Sequence, residues 1–165
     1  MEVAEFFQTV KTPATILHVV SVVFGMGGAL VSDLLFSFFS KDKNLNKTEL
    51  ATLSLLAKMV FWSLWLIALS GLMIFLSDTD YYLNSHKFLA KMTILLILIL
   101  NGYVLNTYVW PHLLKKKFFT AKGERGIRKV AFVCGAISVI SWLSVLALGI
   151  LDSLLMSYLS IIYIY

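Results

Sequence analysis

Four runs of mainly apolar residues, each long enough to cross a hydrocarbon layer of about 30 Å as a helix, dominate this chain. They cover about residues 13–39, 52–76, 87–110 and 130–151, with short polar segments between them. Inside lipid only α-helices and closed β-barrels satisfy all their backbone hydrogen bonds, and runs of this length belong to helices. The pattern predicts an all-α, integral membrane four-helix bundle, a single domain over residues 1–165. The apolar tail at 152–165 spans about 14 residues, too few to cross again. It either extends the fourth helix or folds back along the membrane surface.

Composition agrees. Of the residues, 59% are hydrophobic and 14% charged, where soluble domains hold about 45–50% and about 25%. The apolar surplus must face lipid. In a soluble chain, a net charge of +5 and a pI of about 9.3 would suggest a nucleic-acid partner. Here the loops explain it. Loop one carries Lys41, Lys43 and Lys47, and loop three carries Lys115, Lys116, Lys117, Lys122, Arg125, Arg128 and Lys129. Loop two sets Asp78 and Asp80 against Lys87. The positive-inside bias then places loops one and three in the cytoplasm and both termini outside it. A multi-pass protein of the cell's inner (cytoplasmic) membrane is expected, with the lipid bilayer as its partner and no nucleic acid.

Local signals refine the limits. Thr12-Pro13 reads as an N-cap followed by proline at the first helical position, and Pro111 reads as the end of the third helix. The chain opens Met1-Glu2-Val3-Ala4-Glu5, acidic where a secretory signal would be basic, so no cleaved signal is expected. Cys134 is the single cysteine, which rules out an intrachain disulfide.

An ionisable group at membrane depth costs a few kcal/mol and usually faces the bundle with a partner. Four stand out: His18, Asp33, Lys58 and Lys91. His18 and Lys91 each lie about five residues inside their helices from the outer side, hence at similar depth. His86 points about 140° away from Lys91 and reads as a boundary residue. Asp33 and Lys58 each lie about six residues from the inner end of consecutive helices, which predicts an ion pair setting helix register. Below His18, the residues Ser21, Gly25, Gly28, Ala29 and Ser32 form a stripe of small side chains. Such a stripe admits either a second helix or a flat ligand. Neutral imidazole is a common axial ligand of haem iron, so His18 is the candidate metal ligand. Asn101 and Asn106 are candidates for interhelical hydrogen bonds. Gly135, Ser138, Trp142, Val145 and Gly149 form a packing stripe on the fourth helix.

The segments Leu17-His18-Val19-Val20-Ser21, Gly25-Met26-Gly27-Gly28 and Lys87-Phe88-Leu89-Ala90-Lys91-Met92-Thr93 resemble those of the HemJ-type protoporphyrinogen IX oxidase family. The copper-resistance D type membrane proteins share a similar outline. The resemblance implies a haem b held by His18 in a pocket with Ser21, Gly25 and Gly28, and Lys91 as the catalytic residue near the tetrapyrrole. It further implies oxidation of protoporphyrinogen, with electrons passing onward to quinone. The chain departs from the pattern at Asn101, where a second histidine is expected, and at Asp33, where a basic residue is expected. No serine–histidine–aspartate set, HExxH motif, phosphate loop or dinucleotide fingerprint is present. Beside the tetrapyrrole reading stand a copper-related transporter and a non-enzymatic subunit of a homo-oligomer or larger membrane complex.

Overall fold

The computed structural model describes residues 2–40, 46–114 and 125–163, with side chains described over 6–40, 46–114 and 125–150. It is all-α, and four of its helices are long and apolar enough to cross a membrane: Phe6–Phe39, Lys47–Ser77, His86–Leu113 and Arg125–Ile150. The protein is therefore a multi-pass helical membrane bundle. Lys41, Lys43, Lys115, Lys116, Lys117 and Lys122, on which the sequence-based orientation largely rests, lie outside the described residues.

α1 runs from Glu2 to Phe39 without a break. The expected start at Thr12-Pro13 is thus corrected: Pro13 lies inside the helix. Proline removes one backbone donor, and here tertiary contact outweighs that loss. Gln8 Nε2 donates to the Ser77 carbonyl at 2.7 Å, tying the extra turns of α1 to the end of α2. α2, Lys47–Ser77, starts with a capping box in which Asn46 and Glu49 exchange side-chain and backbone hydrogen bonds. That reciprocal pair satisfies two orphan donors and fixes the start sharply. α3, Thr79–Leu83, is a short helix in loop two capped by Asp78. Phe75 and Phe88 stack across this turn, with centroids 5.4 Å apart and planes 10° apart.

The third span is α4, His86–Val104, a π-helical turn at Leu105–Val109 and α5, Trp110–Leu113. Pro111 does not end the span. Its ring would crowd the preceding turn of a regular α-helix, and the widened turn just before it relieves that clash. α6, Arg125–Tyr163, is 39 residues long. The apolar tail therefore extends the fourth helix; at 1.5 Å per residue, α6 measures about 58 Å and outruns the hydrocarbon layer.

One core residue comes from each long helix. Ala29, Ile67, Leu98 and Trp142 form a buried layer, and a second cluster of Val109, Leu113 and Ala131 closes the basic-loop end. The outward faces are apolar, as lipid requires: Leu34 is 71% exposed and Leu55 69%.

The α1–α2 hairpin is symmetric. His18 meets Ser70, a Cβ on Gly25 would meet Ser63, and one on Gly28 would meet Val60. Each pair is equidistant in sequence from position 44. This register decides where the polar residues go.

Candidate functional site

Among the described residues, two polar places sit within the bundle, one toward the α3 end and one toward the basic loops. At the first, Nδ1 of His18 lies 3.0 Å from Oγ of Ser70, which is fully buried on α2. The Ser70 hydroxyl donates to the Leu66 carbonyl at 2.5 Å, with the Ile67 carbonyl at 3.3 Å as a weaker acceptor. A hydroxyl has one hydrogen, so toward His18 the Ser70 oxygen accepts. The Ile67 carbonyl, which can only accept, is also within hydrogen-bonding reach of the ring. Nδ1 therefore carries the proton, and Nε2 keeps its lone pair. The ring lies against the α2 backbone: a Cβ on Gly71 would stand 3.5 Å from its Cε1.

Lys91 is within electrostatic reach of His18. His86 is exposed at the first turn of α4, as expected of a boundary residue. The stripe below His18 has a different environment. Ser21 is 3% exposed and donates to the Leu17 carbonyl at 2.7 Å. A Cβ on Gly25 would fall 2.8 Å from Trp142 and 3.1 Å from Ser63. One on Gly28 would fall 2.6 Å from Met59 and 3.1 Å from Val60. Of the two occupants the stripe could admit, a second helix and a flat ligand, side chains of α2 and α6 take this face, because the glycines let those helices approach.

At the second place, Asp33 does not meet Lys58. Its Oδ1 faces Gly135 of α6, 3.2 Å from where a Cβ would stand, and its Oδ2 is buried without a hydrogen-bond partner among the described residues. Lys58 is exposed on the far side of α2. The expected ion pair is corrected for an angular reason. At 100° per residue Lys58 points about 180° from Ile67, which belongs to the core. A groove of about 390 Å³ opens beside Asp33 between α1 and α6, edged by Leu34, Phe36, Phe132 and Gly135. Nearby, Asn101 Nδ2 donates to the Cys134 carbonyl at 3.0 Å, the interhelical bond its position suggested.

Sequence reasoning missed three partners: Ser70 for His18, Trp142 for Gly25 and Gly135 for Asp33. The symmetry of the first hairpin would have found Ser70. Among the described residues, no three His, Cys, Asp or Glu side chains gather in a way that could hold a metal ion. By fold the chain belongs to the multi-pass helical membrane proteins. No family model, curated protein or solved structure matches it.

Proposed function

We propose that this membrane protein binds a tetrapyrrole, haem b in the first instance, at the layer of His18 and Ser70. The contact between His18 Nδ1 and Ser70 carries the reading. It leaves Nε2 as the nitrogen with a lone pair, the form in which histidine ligates haem iron while its other nitrogen is held by a neighbour. Lys91, within electrostatic reach of the imidazole, would supply a cation suited to a propionate carboxylate. The residues present thus fit an axial ligand and an anionic edge. The Gly25–Gly28 face does not fit a macrocycle, since Trp142, Ser63, Met59 and Val60 occupy it. The group would be held at the level of His18.

Bound haem would supply one-electron chemistry. Lys91 would orient the tetrapyrrole through its carboxylate and offer a proton donor at that edge. A quinone as onward electron acceptor extends the same reading and rests on the sequence resemblance alone. The test is an absorption spectrum in mild detergent, oxidised and then dithionite-reduced, of protein produced with ample haem. A Soret band with sharp reduced α and β bands, lost in His18→Ala while the chain still inserts, is the expected result. A featureless wild-type spectrum, or bands unchanged in His18→Ala, would remove haem ligation by His18.

A second reading, a non-enzymatic component of a membrane assembly, has its own support. Asp33 and Lys58 are charges within the span region that the single chain leaves apart. A featureless spectrum would bring this reading forward.

A further inference from the structure

We infer that the groove beside Asp33 is a docking site for a second copy of this chain, whose Lys58 ammonium pairs with the Asp33 carboxylate. The inference is independent of tetrapyrrole binding.

An aspartate within a membrane helix costs about 2.5–3.5 kcal/mol on insertion scales and is found paired or facing a polar cavity. Among the described residues Asp33 has neither. Oδ1 rests on Gly135, and Oδ2 is buried with no hydrogen-bond partner among the described residues. The lining supplies none, being apolar apart from Asp33 itself and Ser37. The rim turns outward, with Leu34 71% and Phe132 49% exposed. On the α6 wall Ala131, Gly135 and Ala136 are small, so another helix can come close. A cation on an apolar support would suit both the carboxylate and this rim.

The chain carries such a group on another face. Lys58 is exposed on α2 beside two exposed tryptophans, Trp62 and Trp65, which the helical period places on the same side. The hairpin register sets its depth. With His18 opposite Ser70 and Gly28 opposite Val60, Asp33 stands level with Leu55. Lys58 is three residues, about 4.5 Å, further along. A lysine arm spans such an offset, since it can lay its methylenes along apolar surface and carry the charge to one side. Copies inserted with the same orientation are related by rotation about the membrane normal, which leaves every residue at its own depth. Lys58 of a neighbour therefore reaches the level of Asp33 without tilt. One contact would then give both charges a partner.

The experiment co-expresses two differently tagged copies and measures co-capture after extraction in mild detergent. Asp33→Lys places two cations on one chain, and Lys58→Asp places two anions. Each variant should capture itself at least about tenfold less than wild type captures wild type. The two mixed together should capture each other at the wild-type level, because every contact is again of opposite charge. Self-capture unchanged in both variants overturns the inference. So does cross-capture no better than self-capture, and so does a wild-type chain that does not capture itself. If either variant fails to insert, a chain carrying Cys134→Ser with Asp33→Cys and Lys58→Cys takes its place, treated in membranes with a short thiol cross-linker. A band at twice the monomer mass that needs both cysteines supports the contact; monomer alone overturns it.

Discussion

Across the α1–α6 contact, Oδ1 of Asp33 stands 3.2 Å from the position a Cβ on Gly135 would occupy. Gly135 is thus the seat of the carboxyl. Gly135→Val would push the side chain of Asp33 off this seat into apolar surroundings. Overpacking of this kind costs about 1–3 kcal/mol, so the melting temperature in detergent should fall, and Gly135→Ala should fall less. An unchanged melting temperature in Gly135→Val would mean that Asp33 turns aside freely.

Gly25 and Gly28 invite a comparison. A Cβ at Gly28 meets the terminal methyl of Met59 at 2.6 Å, the end of a flexible chain that can swing away. A Cβ at Gly25 meets the indole of Trp142 at 2.8 Å, and Trp142 is 2% exposed in the core layer. That ring has nowhere to go in a close-packed interior. Gly25→Ala should therefore destabilise more than Gly28→Ala in thermal unfolding. The reverse order would contradict the packing described.

The spans were legible because hydrocarbon thickness and backbone hydrogen bonding leave a long apolar run little choice. The depth match of His18 with Lys91 rested on a helix start at Pro13, whereas α1 begins at Glu2. Depth alone failed for Asp33 and Lys58. The missing coordinate was the angle about each axis, and the core position of Ile67 shows that Lys58 faces outward. The stripe from Ser21 to Gly28 was legible as a close approach, but not as to which partner approaches, because small residues admit indole and macrocycle alike. Pro13 misled because a proline compatible with a helix start also lies within a helix when tertiary contacts hold the preceding turns.

Ser70 holds the imidazole of His18, and Ser70→Ala removes that acceptor. Interhelical hydrogen bonds in membranes contribute about 0.6 kcal/mol on average, so the loss of thermal stability should be small. On the tetrapyrrole reading the same change should weaken haem retention by about 10–100-fold, as loss of a partner to a ligating histidine does. Haem titration and thermal unfolding separate the two roles. A variant less stable but equally avid for haem would make Ser70 a packing residue only.

Tyr82, in α3 between the second and third spans, bears on alkaline pH. Burial first, then the neighbouring Tyr81 and Asp78, raises its phenol above the usual value near 10. The fold thus prefers the neutral phenol. The contribution is fully present below the unfolded-state pKa and is lost as pH rises through the raised folded value. Tyr82→Phe keeps the ring that lies 5.3 Å from Phe88 and removes the titration. Melting temperatures from about pH 9 to 11 should fall less steeply in Tyr82→Phe than in the wild type. Parallel curves would show that Tyr82 titrates like an exposed tyrosine.

Asn101 joins α4 to α6 through a 3.0 Å bond from Nδ2 to the Cys134 carbonyl, and it is 8% exposed. The Cys134 carbonyl already belongs to the helix ladder of α6, so the bond adds an acceptor contact and replaces none. Asn101→Leu removes the donor but leaves no carbonyl orphaned, so the cost should be only about 0.6–1.7 kcal/mol. Asn101→Asp is different. It substitutes an acceptor facing a carbonyl and places an ionisable group at membrane depth, where the charged form costs about 2.5–3.5 kcal/mol. Thermal unfolding should rank wild type above Asn101→Leu, and Asn101→Asp lowest. If Asn101→Asp matched Asn101→Leu, Asn101 would be facing a hydrated environment and not the α4–α6 interface.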